Sequence, residues 1–520
     1  MVSEIEVAQA LSERGDYDRA FLLADKHLKE DPDSFEWLMV LQYIMLETDK
    51  SVLAYQLGKR ITGLYPDKAG GWLNLGLACR DMRRDDEALS NTKRGLKFAN
   101  PGKQRSMLNV NVSSILVDMG EFVEAEKYCQ KALEEDPESR KAVSNLGFCQ
   151  LAQRNWRDGW KNYRAVLGHE WRPRHQYCDE PEWDGKGTGN IVLYGEQGLG
   201  DQLSFASVLP DVIKWAKAND SRIILDISNR LTTLIQRSFP EVKVYGTQGK
   251  QEVLWDKEDR QVDYSLAIGQ VCEYFRNSDK DFPGTPYLKP DPDRVLQWKA
   301  LFESKKKPVI GLAWSSGITK TGSKFRRIGL ERMLPIMEAV DAHYVSLQYK
   351  PAGKEIAEFK KKHPHISITE YPHGTLSGDY EDTVAMIAAL DHVVAVHTTA
   401  NHVSGGLGVP TSVLVPKNSQ WRYGYEGSDF VWAKSIKLFR QSERGKWGDV
   451  INQVAEELNA LFSRVSKGTG SPSRKGKLRG NGKKVRPNSK SANGRSKPDA
   501  HPGLRLREQS KPDGDVKAQG

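Results

Sequence analysis

A short pattern returns every 34 to 36 residues through the first third of the chain, and it constrains the fold more than any other feature. Gly15-Asp-Tyr-Asp-Arg-Ala20 and Gly120-Glu-Phe-Val-Glu-Ala125 share one form: glycine, a polar residue, an aromatic, two variable positions, alanine. Twelve residues after each alanine comes a proline, Pro32 or Pro137, closing the triplet Glu-Asp-Pro. Between them, Pro66 follows Pro32 by 34 residues and Pro101 follows Pro66 by 35. Trp72, Leu75, Gly76 and Ala88 fall in the same frame, as do Leu146, Gly147 and Trp156. A unit of this length that keeps its phase is a supersecondary element whose apolar face is buried only by stacking on its neighbours. Small residues (Ala20, Ala54, Ala88, Ala125, Gly159) let the two helices of a unit approach closely. The proline ends the second helix, because it has no N–H to donate.

These residues resemble the tetratricopeptide repeat, in about five copies over residues 1–168. The resemblance implies an α-solenoid with a concave groove that takes a protein partner or an acceptor. An unrelated helical bundle is the plain alternative, and phase retained over five periods counts against it.

After Trp171 the pattern changes. Residues 169–189 read as a linker, and 179–189 are rich in turn formers. Apolar strands are predicted at 191–194, 223–227 and 242–245, with helices running to Lys217 and over 229–238. Four prolines in 280–294 suggest an interdomain connection, after which the alternation restarts. Strands are predicted at 309–314, 343–347, 393–396 and 411–415, and helices at 330–340, 382–390 and 402–408. Alternation of this kind makes parallel sheets with crossover helices. Two Rossmann-like domains facing a cleft are expected, at 190–290 and 291–463, with ligands at the carboxyl ends of strands.

Three motifs fall at such ends. Gly195-Glu-Gln-Gly-Leu-Gly-Asp201 lies between a strand and a helix. Gly195, Gly198 and Gly200 permit a tight turn that leaves amides open toward a ligand. Asp201 is either a catalytic carboxylate or an N-cap of the following helix. Val394-Ala-Val-His-Thr-Thr-Ala-Asn-His-Val-Ser-Gly-Gly-Leu-Gly408 suits a diphosphate through hydroxyls and helix amides, or else is a tightly packed helix. His397 and His402 lack a third ligand of suitable spacing, so no metal site is expected. Lys320-Thr-Gly-Ser-Lys-Phe-Arg-Arg-Ile-Gly-Leu330 is a phosphate clamp or a solvated basic loop.

Charge separates the chain again. The net charge is +9, yet residues 464–520 hold 16 Lys/Arg and 4 Asp/Glu, so the rest stands at −3. That tail, rich in Gly, Ser, Pro and Asn, is expected to be disordered. It would meet polyanions or an anionic membrane surface by charge alone, and nucleic acid is not the expected partner of the body. Five scattered cysteines form no CxxC pair, and the first residues lack the layout of a signal peptide. Both features point to a cytoplasmic chain without a disulfide framework.

In order and position, the motifs of 181–460 resemble the glycosyltransferases related to bacterial ADP-heptose:lipopolysaccharide heptosyltransferases, in the version preceded by tetratricopeptide repeats. The matching stretches are Pro181-Glu-Trp-Asp-Gly185, the turn ending at Asp201, Gly311-Leu-Ala-Trp314, Arg326-Arg-Ile-Gly-Leu330 and Val345-Ser-Leu-Gln348. Asp382-Thr-Val-Ala-Met-Ile-Ala-Ala-Leu-Asp391, residues 398–408, Trp421-Arg422 and Leu438-Phe-Arg-Gln441 complete the match.

The resemblance implies a GT-B fold and an inverting, metal-independent transferase with no cofactor. A nucleotide-diphospho-sugar is its donor substrate, for hexosyl or heptosyl transfer to a glycan, lipid-linked or protein acceptor. By the same resemblance Asp201 is the general base and Arg326 binds donor phosphate. Thr398, Thr399 and His402 belong to the diphosphate site, and Gln348 lies near the nucleotide. The family usually has aspartate where this chain has His397, which bears on donor choice or pH dependence. The competing reading is a non-catalytic repeat adaptor carrying a degenerate transferase domain.

Overall fold

The computed structural model describes residues 2–169, 172–247, 255–317, 326–376, 378 and 380–467. Ten helices in five antiparallel pairs make up the repeats: α1 (Glu4–Glu13) with α2 (Tyr17–Glu30), α3 (Phe35–Glu47) with α4 (Ser51–Leu64), α5 (Ala69–Asp81) with α6 (Asp85–Leu96), α7 (Lys103–Met119) with α8 (Phe122–Glu135), and α9 (Arg140–Ala152) with α10 (Trp156–Tyr163). This is a tetratricopeptide-like solenoid. Ala20, Ala54, Ala88 and Ala125 are fully buried at the crossing of each pair. A Cβ on Gly159 would lie 2.7 Å from the Leu151 side chain.

The turn inside each pair needs one left-handed residue, five positions before the small one. Gly15, Asp49, Arg83, Gly120 and Arg154 fill this place, with φ of 81°, 59°, 64°, 81° and 61°. Glycine takes this conformation freely, whereas a side chain there costs about 1 kcal/mol. Asp49→Gly is therefore expected to raise stability by about 0.5–1 kcal/mol, read as a higher midpoint in urea unfolding. Gly120 is doubly constrained, since a Cβ there would also lie 2.5 Å from the Lys417 carbonyl of the α/β body.

The body contains two all-parallel sheets. The first comprises β1 (Asn190–Tyr194), β2 (Arg222–Asp226), β3 (Lys243–Tyr245) and β4 (Tyr264–Ala267), in the order β3-β2-β1-β4. Its helices are α11 (Leu199–Phe205), α12 (Leu209–Ala218), α13 (Thr232–Ser238) and α14 (Ile268–Phe275). The second comprises β5 (Val309–Ala313), β6 (His343–Ser346), β7 (Ser367–Glu370), β8 (His392–Ala395), β9 (Thr411–Val415) and β10 (Ile436–Arg440), in the order β10-β9-β8-β5-β6-β7. With it come α15 (Pro292–Glu303), α16 (Leu334–Glu338), α17 (Gly353–Lys362), α18 (Pro372–Thr375), α19 (Tyr380–Ala388), α20 (Thr399–Leu407) and α21 (Gly448–Lys467).

Strands β5, β8 and β9 are buried on both faces, as parallel strands covered by helices must be. Strand order reverses between β1 and β4 in one sheet and between β5 and β8 in the other, and a crevice opens at such a switch point. Strands β4, β7 and β10 were not predicted from the sequence. Helix α21 continues to Lys467, four residues into the stretch assigned to the tail. The remaining tail, 468–520, lies outside the described residues.

The segment read as a linker is partly built into the first sheet. Trp183 is fully buried, its backbone N–H donates to the Ser265 carbonyl at 2.9 Å, and Ser265 N–H donates to the Pro181 carbonyl at 3.1 Å. The repeats are joined to the body just as tightly. Trp160 of α10 stands edge-on to Trp421 at 5.4 Å, and its indole N–H donates to the Arg276 carbonyl at 2.7 Å. Ion pairs Arg444–Asp85 and Lys417–Glu121 tie the second sheet's loops to α6 and to the α7–α8 turn.

Candidate functional site

The glycine-rich turn follows β1 and is fixed from several sides. Glu196 is buried and accepts from Arg172 through both Nε (3.1 Å) and Nη2 (3.0 Å). Arg172 itself donates to the Tyr163 carbonyl at 3.0 Å and lies over the Tyr163 ring, so the end of the last repeat braces the turn. Gln202 donates to the Gln197 carbonyl at 2.7 Å and accepts from Ser228 N–H. Gly198 is the N-cap of α11 and Asp201 is the third residue inside the helix. Asp201 thus lies inside the first turn rather than at the N-cap position considered for it, and its carboxylate is available for other contacts.

On the other side, β8 ends at Ala395 and leads through His397 into α20. Thr398 is the N-cap, its hydroxyl accepting from Ala400 N–H at 3.0 Å. Helices α11 and α20 touch where Gly200 faces α20: a Cβ there would lie 3.1 Å from the His402 ring and 3.2 Å from the Thr399 hydroxyl. His402 Nδ1 and Ser204 Oγ are 3.1 Å apart across the same contact. The two glycine-containing motifs, roughly 200 residues apart in sequence, therefore share one surface.

Between them lies a cavity of about 390 Å³ lined by Gly198, Gly200, Asp201, Arg326, His397, Thr398, Thr399 and His402. Most of the residues singled out from sequence meet here. Arg326 is buried, and burial lowers its pKa below the usual guanidinium value. Residues 320–325 of its basic loop lie outside the described residues. Gln348 is not in this cavity. It lines a neighbouring one of about 380 Å³ with Ser315, Arg327 and Glu355, its amide bonded to Ser315. Ser316, Gly317 and Tyr349 border both cavities. Gly195 sits behind the turn, against the Gln202 side chain.

Two partners of these residues carried no role in the sequence reading. Arg422, buried and supplied by the loop after β9, forms an ion pair with Asp201 (Nη2–Oδ1, 2.5 Å) and donates to Gln197. Tyr423 stacks on His397 with ring centroids 3.8 Å apart and planes 5° apart. Trp421-Arg422 stood out as a sequence match, but a pair formed across more than 200 residues of chain has no local signature. Among the described residues no cluster of His, Cys, Asp and Glu has the makings of a metal site. No helix among them is long and apolar enough to cross a membrane.

The imidazoles here are neutral. Burial, aided by Arg422, brings His402 down to about 4. Burial, then Arg326 and Arg440, holds His397 well below the usual histidine value. Neither ring nitrogen of His397 has a hydrogen-bond partner among the described residues. An orphaned buried imidazole lining a cavity is the kind of group a polar ligand satisfies.

His343 and His392, also buried, are each pushed down to about 4 by burial. The unfolded chain protonates such groups near pH 6.5, before the folded one does. Stability is therefore lost as pH falls from about 6.5 toward 4, by about 1.4 kcal/mol per pH unit for each imidazole. Denaturant unfolding as a function of pH checks this, and His392→Gln should reduce the slope by one proton.

No family model matches the chain. Over 445 residues it is 27% identical to Protein FlbA of Caulobacter vibrioides, an alignment covering 76% of this chain and 73% of that protein. A stretch of 134 residues is 27% identical to tetratricopeptide repeat protein 8 of Caenorhabditis elegans, 26% of each chain. Among solved structures, the thermophilic TPR protein TTC0263 of Thermus thermophilus aligns with a TM-score of 0.29 and 22% identity, over 32% of this chain and 89% of that one. MamA aligns with a TM-score of 0.27 and 19% identity, over 31% of this chain and 92% of that one.

Proposed function

We propose that the chain is an inverting glycosyltransferase of GT-B type that takes a nucleotide-diphospho-sugar as donor. The observation that carries this reading is the shared cavity: one carboxylate, one buried guanidinium and the N-terminus of α20 converge at the carboxyl ends of β1 and β8. That set matches the charges of a sugar transfer. Arg422 holds Oδ1 of Asp201. Oδ2 takes the proton from the acceptor hydroxyl as its oxygen bonds to the anomeric carbon. The bond from that carbon to the diphosphate oxygen breaks, and the leaving group departs with the electron pair. Arg326 and the amides and hydroxyls of Thr398 and Thr399 receive the growing negative charge. A single displacement inverts the anomeric configuration.

His397, neutral and without a polar partner among the described residues, can both donate to and accept from a donor hydroxyl or phosphate, which aspartate cannot. Gln348 and Glu355 in the adjoining cavity suit the nucleoside.

Thermal unfolding with ADP-, UDP- and GDP-sugars, and a CMP-sugar as single-phosphate control, tests donor binding. A bound donor at about 100 times its Kd is expected to stabilise the protein by about 2.7 kcal/mol. Stabilisation by none of them would favour the adaptor reading.

A further inference from the structure

A second cavity, of about 480 Å³, adjoins the donor cavity at Asp201, and the two share Gly198, Asp201 and Gln420. Its far wall belongs to the repeats. Ser114 of α7 and Asn145 and Phe148 of α9 line it, facing Gln197 and Asp201 of the catalytic turn. We infer that this crevice receives an extended polypeptide, and that a serine or threonine hydroxyl on that segment is the acceptor. The inference rests on the glycosyltransferase reading and names its acceptor class.

Three observations support a peptide. The first is position: a group whose hydroxyl reaches Asp201 from this side must continue along the inner helices of the third to fifth repeats. Those repeats cannot swing aside, because Trp160 and Tyr163 of α10 are buried in the body and Arg172 joins Tyr163 to the turn. The second is polarity. A peptide backbone offers donors and acceptors alternately, and amide side chains answer both. Asn145 donates its Nδ2 hydrogens to Ser113 and Ser114 at 3.0 and 2.9 Å, which orients the amide and leaves Oδ1 to accept. Gln420 provides a further amide, while Val117, Phe122 and Phe148 provide apolar wall for side chains.

The third is charge. The cavity's Arg80 and Asp118 pair with each other at 2.6 Å, and its Arg422 pairs with Asp201. Among the described residues the wall therefore presents no cationic cluster of the kind a diphosphate-linked lipid acceptor needs.

The test uses the full chain, the radiolabelled nucleotide-sugar that stabilises it, and a pool of short random-sequence peptides with a central serine or threonine. A matched pool with alanine at that place is the control. Label is expected to enter the serine/threonine pool alone. Ser114→Lys and Asn145→Ala, introduced separately, should each lower kcat/KM for the peptide pool by about tenfold or more. Donor affinity and donor hydrolysis by water should stay near wild type, which separates lost recognition from lost folding.

Donor turnover without peptide labelling, or labelling of a lipid-linked glycan or free sugar instead, would overturn the inference and leave the transferase intact. Equal labelling by wild type and both variants would overturn the route through the crevice. Absence of donor binding and turnover removes the transferase reading, and this inference with it.

Discussion

Asp201→Asn is expected to lower sugar transfer about 10³-fold while nucleotide affinity stays within about twofold, since a positioned general base contributes roughly 10²–10⁴. Asparagine is nearly isosteric but cannot hold the acceptor's proton. That loss corresponds to about 4 kcal/mol in the barrier. Donor affinity should survive because the phosphate contacts assigned to Arg326 and α20 do not pass through the carboxylate. Arg422 loses its ion pair, yet keeps its hydrogen bond to Gln197 and its position over the Trp421 and Phe205 rings. A modest drop in melting temperature is therefore expected alongside the kinetic effect. Product release followed by chromatography, with calorimetric titration of the nucleotide, separates the two consequences.

Arg326→Ala has its effect on binding. A charge-assisted contact to phosphate contributes about 1.5–3 kcal/mol, so Kd for the nucleoside diphosphate should rise roughly 10- to 150-fold. Affinity for the nucleoside without phosphates should be unchanged. Arg326→Lys should recover only part of the loss, because an ammonium lacks the planar fork that engages two oxygens at once. Equal weakening of nucleoside and nucleoside diphosphate would place Arg326 outside the phosphate subsite.

What could be read from sequence was what local chemistry dictates. The repeat period placed five helix pairs, because each unit solves the same packing problem with the same small residues and prolines. Strands β1, β2, β3, β5, β6, β8 and β9 were legible as short strand-like runs between turns. Strand β7 was not, since Ser367-Ile-Thr-Glu370 carries one strongly apolar residue on an edge. Strand β10 was hidden by Lys437 and Arg440. Trp183 sat in a run of turn formers, and only the fold shows that its segment pairs with β4.

The site divides in the same way. Asp201, Thr398, Thr399 and His402 lie in motifs at strand ends, where topology brings ligands. Their electrostatic setting comes from Arg422, Tyr423 and Arg172, and Arg422 meets Asp201 across more than 200 residues of chain. Such pairs are products of tertiary packing. The resemblance put Gln348 near the nucleotide, and its side chain bonds Ser315 in the cavity that adjoins the one at Asp201. The net charge belongs chiefly to 464–520, so it carries no information about the cavity.

Release of nucleoside diphosphate from ADP-, UDP- and GDP-sugars, measured for wild type and for Asp201→Asn under the same conditions, tests the catalytic assignment most directly. Turnover of a donor by wild type, reduced at least about 100-fold in the variant, is the expected result. Full activity in the variant, or no turnover of any donor by a wild-type protein that is folded, would contradict it.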